Sequence, residues 1–362
     1  MEIQHGIDLE MSAATQQRRA LVAGATGIIG SAIAERLVAQ GWQVVCASRS
    51  GNAVAGAQSL ALDLLDADAC GRALAGVAPF THLFFAAYLQ APSRAQEVAP
   101  NLALLVNAVN ALLPASPDLR KVILVTGAKF YGIHWGASKS PMRESDPRQM
   151  PPNFYYDQED FLRQAQVGKR WHWCNLIPPF ISGYAVGNPM NVVLAIGVYA
   201  ALCKELGLPL RFPGSMAAYK GLHHLADTRQ LAAAAEWAAG SEAANNQAFN
   251  IANGDPSRWC NRWPGLADYF GLPPAEPKHL PLAEIMPAQE ALWQKMIVKY
   301  QLQPTRLAGL VNWTWADYML RMENDVILEL GKVRRAGFHD CLDTEPVFLA
   351  RLDQLRVNRI IP

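Results

Sequence analysis

The chain has 362 residues, 51% hydrophobic and only 17% charged, enough apolar surface for a large buried core and too much for an intrinsically disordered chain. Its 32 Lys and Arg nearly cancel 31 Asp and Glu, for a formal charge of +1. A nucleic-acid backbone therefore has no basic surface to meet.

In chain order, residues 1–18 are polar, carry acids and read as a flexible segment rather than a secretory leader. Residues 20–23 read as a buried strand, and 31–40 as a helix with Ile33, Leu37 and Val38 on one face. Strands follow at 43–47, 59–63 and 82–87, then a long apolar-periodic helix over 95–113. KVILVT, residues 121–126, is the clearest strand of all. Strand–helix alternation at this spacing means right-handed crossovers and a parallel sheet, a Rossmann-type doubly wound α/β fold. Further on, a strand at 171–177 runs into Pro178-Pro179. Helices are expected over 190–206 and 225–239, and 249–252 is expected to return a strand to the sheet. From Asp255 onward, dense Trp, Pro and Tyr indicate short helices. The expected division is 19–180 with about 218–255 as the dinucleotide domain, and about 181–217 with 256–362 as a substrate lobe.

The six cysteines (46, 70, 174, 203, 260, 341) show no C-x-x-C pair, and no metal-like cluster accompanies His134, His223 or His224, so no metal site is expected. The most apolar run, 192–203, is too short to span a bilayer. A cytoplasmic enzyme without membrane or nucleic-acid partners is expected, with a homodimer as its candidate assembly.

Gly24-Ala25-Thr26-Gly27-Ile28-Ile29-Gly30 lies between the first strand and the first helix. A tight turn, a close backbone approach to pyrophosphate and helix–strand packing each call for a residue without Cβ. The helix N-terminus then offers unpaired N–H groups to phosphate. The second strand ends in Ala47-Ser48-Arg49-Ser50, with no acid before Asp63. A guanidinium flanked by two hydroxyls suits a ribose 2′-phosphate, so NADPH/NADP is the expected cofactor. Asp63 and Leu64 are expected near its adenine.

The G-x-x-G-x-x-G spacing is that of short-chain dehydrogenases, which place Tyr-x-x-x-Lys on one helix. None of the ten tyrosines here has a lysine four residues on. Lys129 follows Thr126-Gly127-Ala128 directly off the clearest strand, at the sheet's carboxyl edge. Tyr155 stands where Asn153-Phe154-Tyr155-Tyr156-Asp157-Gln158-Glu159-Asp160 opens a helix. The two are expected to meet over the nicotinamide.

This combination resembles the progesterone 5β-reductase and iridoid synthase-like family, an atypical branch of the extended short-chain dehydrogenases. That branch carries its lysine in T-G-x-K-x-Y and its tyrosine in N-F-Y-Y-x-x-E-D, and Thr126 to Tyr131 and Asn153 to Asp160 match both. The likeness continues at Met190-Asn191, Val198 to Ala201, Leu210 to Phe212, Ala248 to Asn250, Asn253 to Asp255 and Gly337-Phe338. It implies NADPH-dependent reduction of an activated C=C bond, as 1,4-addition of hydride to a hydrophobic enone or enal. Tyr155 stabilises the enolate oxygen and Lys129 assists. It also implies dinucleotide contacts from Ala87, Thr126, Gly127, Pro178 and Ile181. Substrate contacts are expected from Tyr88, Tyr131, Trp135, Tyr184 and Asn191, and an aromatic-rich pocket from Trp259, Trp263, Trp313 and Trp315. Three departures stand out: Gly132-Ile133-His134 after Tyr131, Pro179 where the family has Gly, and Tyr88 where many members have Trp.

Alternatives stay open at this point. A carbonyl polarised in this way also suits 1,2-reduction. A nucleotide-sugar epimerase or dehydratase shares the fold but is expected to keep Tyr-x-x-x-Lys. A non-catalytic NADP sensor needs neither Lys129 nor Tyr155.

Overall fold

The computed structural model describes residues 18–185 and 190–362. The segment expected over 1–18 thus lies, Arg18 apart, outside the described residues. The first half of the chain alternates as its patterning requires. It runs β1 (Arg19–Ala23), α1 (Ile28–Ala39), β2 (Gln43–Ser48), β3 (Gln58–Ala61), α2 (Ala67–Ala75), β4 (His82–Phe85) and α3 (Arg94–Ala115). Then come β5 (Lys121–Val125), α4 (Phe154–Gln166) and β6 (His172–Ile177). The strand Gln247–Asn250 returns late in the chain to pair with β6, Gln247 opposite Cys174. The seven-stranded sheet has the order Gln247–Asn250, β6, β5, β4, β1, β2, β3, and every pairing in it is parallel.

The chain builds outward from β1 to β3, crosses back to lay β4 beside β1, and builds the other way. That reversal opens a crevice at the carboxyl ends of β1 and β4, where doubly wound sheets take their ligands.

Apart from the exposed edge strand β3, both faces of the sheet are buried, as a parallel sheet requires. Along β1, Ala20 and Val22 pack with Ile33 and Leu37 of α1 on one face. Leu21 and Ala23 pack with Leu105 and Val109 of α3 on the other, the period-2 alternation of a strand. The helix Thr228–Gly240 lies against α1, and its Leu231 and run of alanines from 232 to 235 join the α1 side of the core.

Over the carboxyl edge sits the largest apolar cluster. After β7 (Phe180–Ser182), helix α5 (Val192–Glu205) is buried from Val192 to Cys203, as a helix apolar all round must be. The helices Trp259–Phe270, Trp313–Leu320 and Thr344–Val357 contribute to the same cluster.

Three details depart from expectation. Helix α1 begins at Ile28, directly on the glycine turn, rather than at 31. Helix α2 has no counterpart among the expected elements; Asp66 caps it, accepting from Ala69 N at 2.9 Å. The helix expected over 225–239 begins at Thr228, because Leu225–Asp227 forms a short strand beside β7. Asp227 then caps the helix through Arg229 N at 2.9 Å. Helix α3 is long and apolar enough to cross a membrane by length and composition. Its Leu104, Leu105, Ala108, Val109 and Leu112 are instead buried in the sheet core.

Candidate active site

At the crevice lies a cavity of about 450 Å³ that reaches from the glycine turn to the helix Trp313–Leu320, within the usual size of ligand sites.

The glycine turn forms one end. Gly24 has φ +79°, and a Cβ there would sit 2.7 Å from Ala87 N and 2.8 Å from the Ala86 carbonyl oxygen. Only glycine adopts that backbone at that approach. Helix α1 then starts from Gly27 with no side-chain cap, and Thr26, Gly27, Ile28 and Ile29 line the cavity. Uncapped N–H groups and the positive end of the helix dipole make this a seat for an anion such as pyrophosphate. Ser48 and Arg49, at the end of β2, line the same space, as do Asp63, Leu64 and Ala87. Asp63 closes its own turn by accepting from Leu65 N at 3.0 Å. These residues fit a dinucleotide, and Arg49 brings a guanidinium to the cavity at the end of β2.

Two residues expected as cofactor contacts do not reach the cavity. Gly30 is buried in α1 with the Gly24 carbonyl against its Cα, so its missing Cβ serves helix–strand packing. Ser50 is exposed, its Oγ 3.4 Å from Ser48 Oγ.

The opposite end is built where β5 leaves the sheet. Thr126, Gly127 and Lys129 line the cavity, with Pro178, Pro179, Phe180 and Ile181 from the β6–β7 connection. The Pro178 carbonyl accepts from Ala128 N at 2.8 Å. Thr126 Oγ1 donates to Asn175 Oδ1 at 2.8 Å, and Asn175 Nδ2 donates to Glu159 Oε2 at 2.8 Å. This buried chain of side chains ties the loop after β5 to α4. Glu159 also accepts from Arg163 at 2.8 Å, and Asp160 takes a two-pronged pair from Arg148 at 2.7 Å each. The acids of the N-F-Y-Y-x-x-E-D segment thus fasten α4.

Lys129 and Tyr155 are brought to the same cavity. Tyr155 Oη lies over the Gly127 backbone, where a Cβ would meet it at 3.3 Å. Neither Tyr155 Oη nor Lys129 Nζ has a hydrogen-bond partner among the described residues, and both residues line the cavity. Tyr156 is different: its Oη donates to the Phe130 carbonyl at 2.6 Å and accepts from Gln149 N at 3.0 Å. Of the doublet, only the first tyrosine has a free hydroxyl. Burial lowers the Lys129 ammonium to about 8, with Arg94 adding to the shift and Glu97 opposing it. Burial raises the Tyr155 phenol above its ordinary range, with Glu97 adding and Arg94 opposing. At neutral pH this pairs a protonated phenol with a largely charged ammonium.

The substrate-side expectations fare unevenly. Tyr88 lines the cavity and stacks on Phe154 with centroids 5.8 Å apart. Tyr131 does not line it, because its hydroxyl turns away to Asn250 Oδ1 at 2.6 Å. Trp135 is 60% exposed and outside the lining. Tyr184 is also outside, and Asn191 caps α5, accepting from Val193 N at 3.0 Å and Leu194 N at 3.2 Å. Trp259, Trp263 and Trp313 are core, and of the expected aromatic lobe only Trp315 reaches the cavity. The three histidines are buried to differing degrees, which holds each down to about 4 and neutral at pH 7. No cluster of three or more metal-ligating side chains occurs among the described residues.

A profile of PRISE-like Rossmann-fold domains matches residues 50–362. The chain belongs to the PRISE family. A 3-oxo-Δ(4,5)-steroid 5β-reductase of Arabidopsis thaliana is 32% identical, over 95% of this chain and 93% of that protein. An (S)-8-oxocitronellyl enol synthase of Nepeta racemosa is 31% identical, over 98% and 96%. The fold is shared with more distant structures. A putative epimerase of Burkholderia cenocepacia superposes with TM-score 0.67 at 18% identity, covering 94% of this chain and 98% of its own. A short-chain dehydrogenase/reductase superfamily protein of Agrobacterium tumefaciens with bound NAD superposes at 0.65 and 14%, covering 95% and 98%. This PRISE chain therefore shares the fold of these short-chain dehydrogenase/reductase and epimerase structures.

Sequence reasoning missed part of this PRISE site. Glu97 of α3 is 3% exposed and accepts from Tyr88 Oη at 2.5 Å and Arg94 Nη1 at 2.9 Å. An acid three residues after an arginine reads as an ordinary surface pair, so nothing local marks it as buried. Glu97 stands behind the lining, joined to it through Tyr88, whereas Ile133, Phe154, Tyr318 and Met319 line the cavity itself.

Proposed function

We propose that this protein is an NADPH-dependent reductase of activated C=C bonds, acting on hydrophobic enones or enals by 1,4-addition. The observation that carries it is the meeting, in one cavity, of a free tyrosine hydroxyl, a free lysine amine and an uncapped glycine-rich helix start. When bound, the reduced nicotinamide supplies the hydride. The protein supplies the rest. Tyr155 Oη donates a hydrogen bond to the carbonyl oxygen on which enolate charge develops. The Lys129 ammonium, in a partly buried setting, favours that charge. One preorganised donor of this kind is worth roughly 3–4 kcal/mol. The ring of Phe154, the side chains of Ile133 and Met319, and the faces of Trp315 and Tyr318 give the substrate an apolar wall. Arg49 beside Ser48, with no acid at the end of β2, supports NADPH over NADH.

The test is NADPH consumption with cyclic enones, aliphatic enals, an enone steroid and a saturated ketone. Tyr155→Phe and Lys129→Ala are run in parallel. Turnover confined to the unsaturated substrates, and reduced roughly 10²–10³-fold in Tyr155→Phe, is expected. Turnover of the saturated ketone alone contradicts the reading.

A further inference from the structure

In a Tyr-x-x-x-Lys enzyme one helical turn sets phenol and amine on the same face. Here Lys129 and Tyr155 stand on separate elements, so their relation has to be fixed by tertiary contacts. We propose that Asn153 and Tyr156 are positioning residues that clamp the backbone of Lys129 and Phe130 to the start of α4, holding the Lys129 amine and Tyr155 hydroxyl in register. This rests on the function proposed above.

Asn153 joins both partners through one side chain. Its Nδ2 donates to the Lys129 carbonyl at 2.8 Å, and its Oδ1 accepts from Tyr155 N at 3.2 Å. The two partners also fix the amide's orientation, since a flipped amide sets donor against donor. Tyr156 Oη holds the next carbonyl, that of Phe130, at 2.6 Å. Its ring packs edge-on against Phe130 with centroids 5.0 Å apart. From the other side, the Pro178 carbonyl holds Ala128 N at 2.8 Å. Three consecutive residues are thus anchored by their backbone, and the Lys129 side chain extends from them into the cavity. The two contacts come from the α4 cap Asn153, two residues before Tyr155, and from Tyr156, the residue after it, so any shift of the lysine loop is referred directly to the tyrosine.

Asn153→Asp and Tyr156→Phe separate this role from simple folding. Asp caps a helix as well as Asn but cannot donate to the Lys129 carbonyl; Phe keeps the ring packing and lacks the hydroxyl. Small misplacement of reacting groups costs one to two orders of magnitude. Each variant is expected to lose kcat about tenfold or more, with the NADPH Kd and enone KM close to wild type and the melting temperature lowered by only about a few degrees. Unchanged kcat in both variants overturns the proposal, as does a kcat loss that only tracks a fall in melting temperature. Hydrogen exchange reads the clamp without turnover: amides 128–132 are expected to exchange faster in Tyr156→Phe, with those of α4 after its first turn unchanged. If the wild type turns over no enone or enal, the functional reading fails, and this exchange result alone decides the clamp.

Discussion

The cavity has two walls made in different ways. The side at the glycine turn, proposed above to seat the dinucleotide, is mostly backbone: Gly24 pressed on the Ala86–Ala87 peptide, and a helix start without a side-chain cap. Few other sequences allow those conformations. The opposite side, proposed above to hold the substrate, is a set of side chains from α3, α4 and the helix Trp313–Leu320, far apart in the chain. Any apolar residue of similar size fills such a wall. The difference teaches that backbone-built sites tolerate almost no substitution, whereas side-chain-built ones are free to retune specificity.

The comparison breaks most sharply at Gly24. Placing Ala there incurs about 1–2 kcal/mol for the left-handed backbone and about 1–3 kcal/mol for overpacking. Gly24→Ala is expected to lower the urea midpoint accordingly and abolish NADPH binding measured by fluorescence. A variant that binds NADPH normally contradicts the backbone account. Next comes Arg49→Ala. Charge-assisted hydrogen bonds contribute about 1.5–3 kcal/mol, so titration is expected to show NADPH bound roughly 10–150-fold more weakly. NADH affinity is expected to stay within about twofold of wild type.

A smaller effect concerns pH. Burial disfavours the charged form of Lys129, so its ammonium is lost as pH rises through about 8, well below the usual lysine range. The kcat–pH profile is expected to fall on the alkaline side from there, by up to about tenfold at one unit higher. In Lys129→Arg the limb is expected to move out of the accessible range; a limb that stays belongs to another group.

Smallest is Tyr318→Phe on the substrate wall. The Tyr318 hydroxyl is buried with no hydrogen-bond partner among the described residues, so removing it is expected to change stability by less than about 0.5 kcal/mol or to raise it. A larger loss in thermal unfolding contradicts the contrast between the walls.

The same contrast explains what was readable in advance. Glycine spacing, the acid-free end of β2 and the strand leading to Lys129 are local patterns, and they located Gly24, Arg49 and the elements around them. The direction of a side chain is not local. Tyr131 bonds to Asn250, more than a hundred residues on, and Trp135 points outward. Asn191, immediately before an all-apolar helix, is legible as a cap, and so is Asp227 before Thr228. Apolar periodicity continues on either side of both, so period alone runs through them. The burial of Glu97 depends on Tyr88 and Arg94 folding around it, which no spacing encodes.

The most direct test of the central claim follows a label. The wild-type protein is given a cyclic enone and NADPH carrying deuterium at the transferable position, and the product is read by NMR. Deuterium on the β-carbon with the carbonyl intact, at a rate that collapses in Tyr155→Phe, is the expected result. Deuterium on the carbonyl carbon, giving an allylic alcohol, contradicts it.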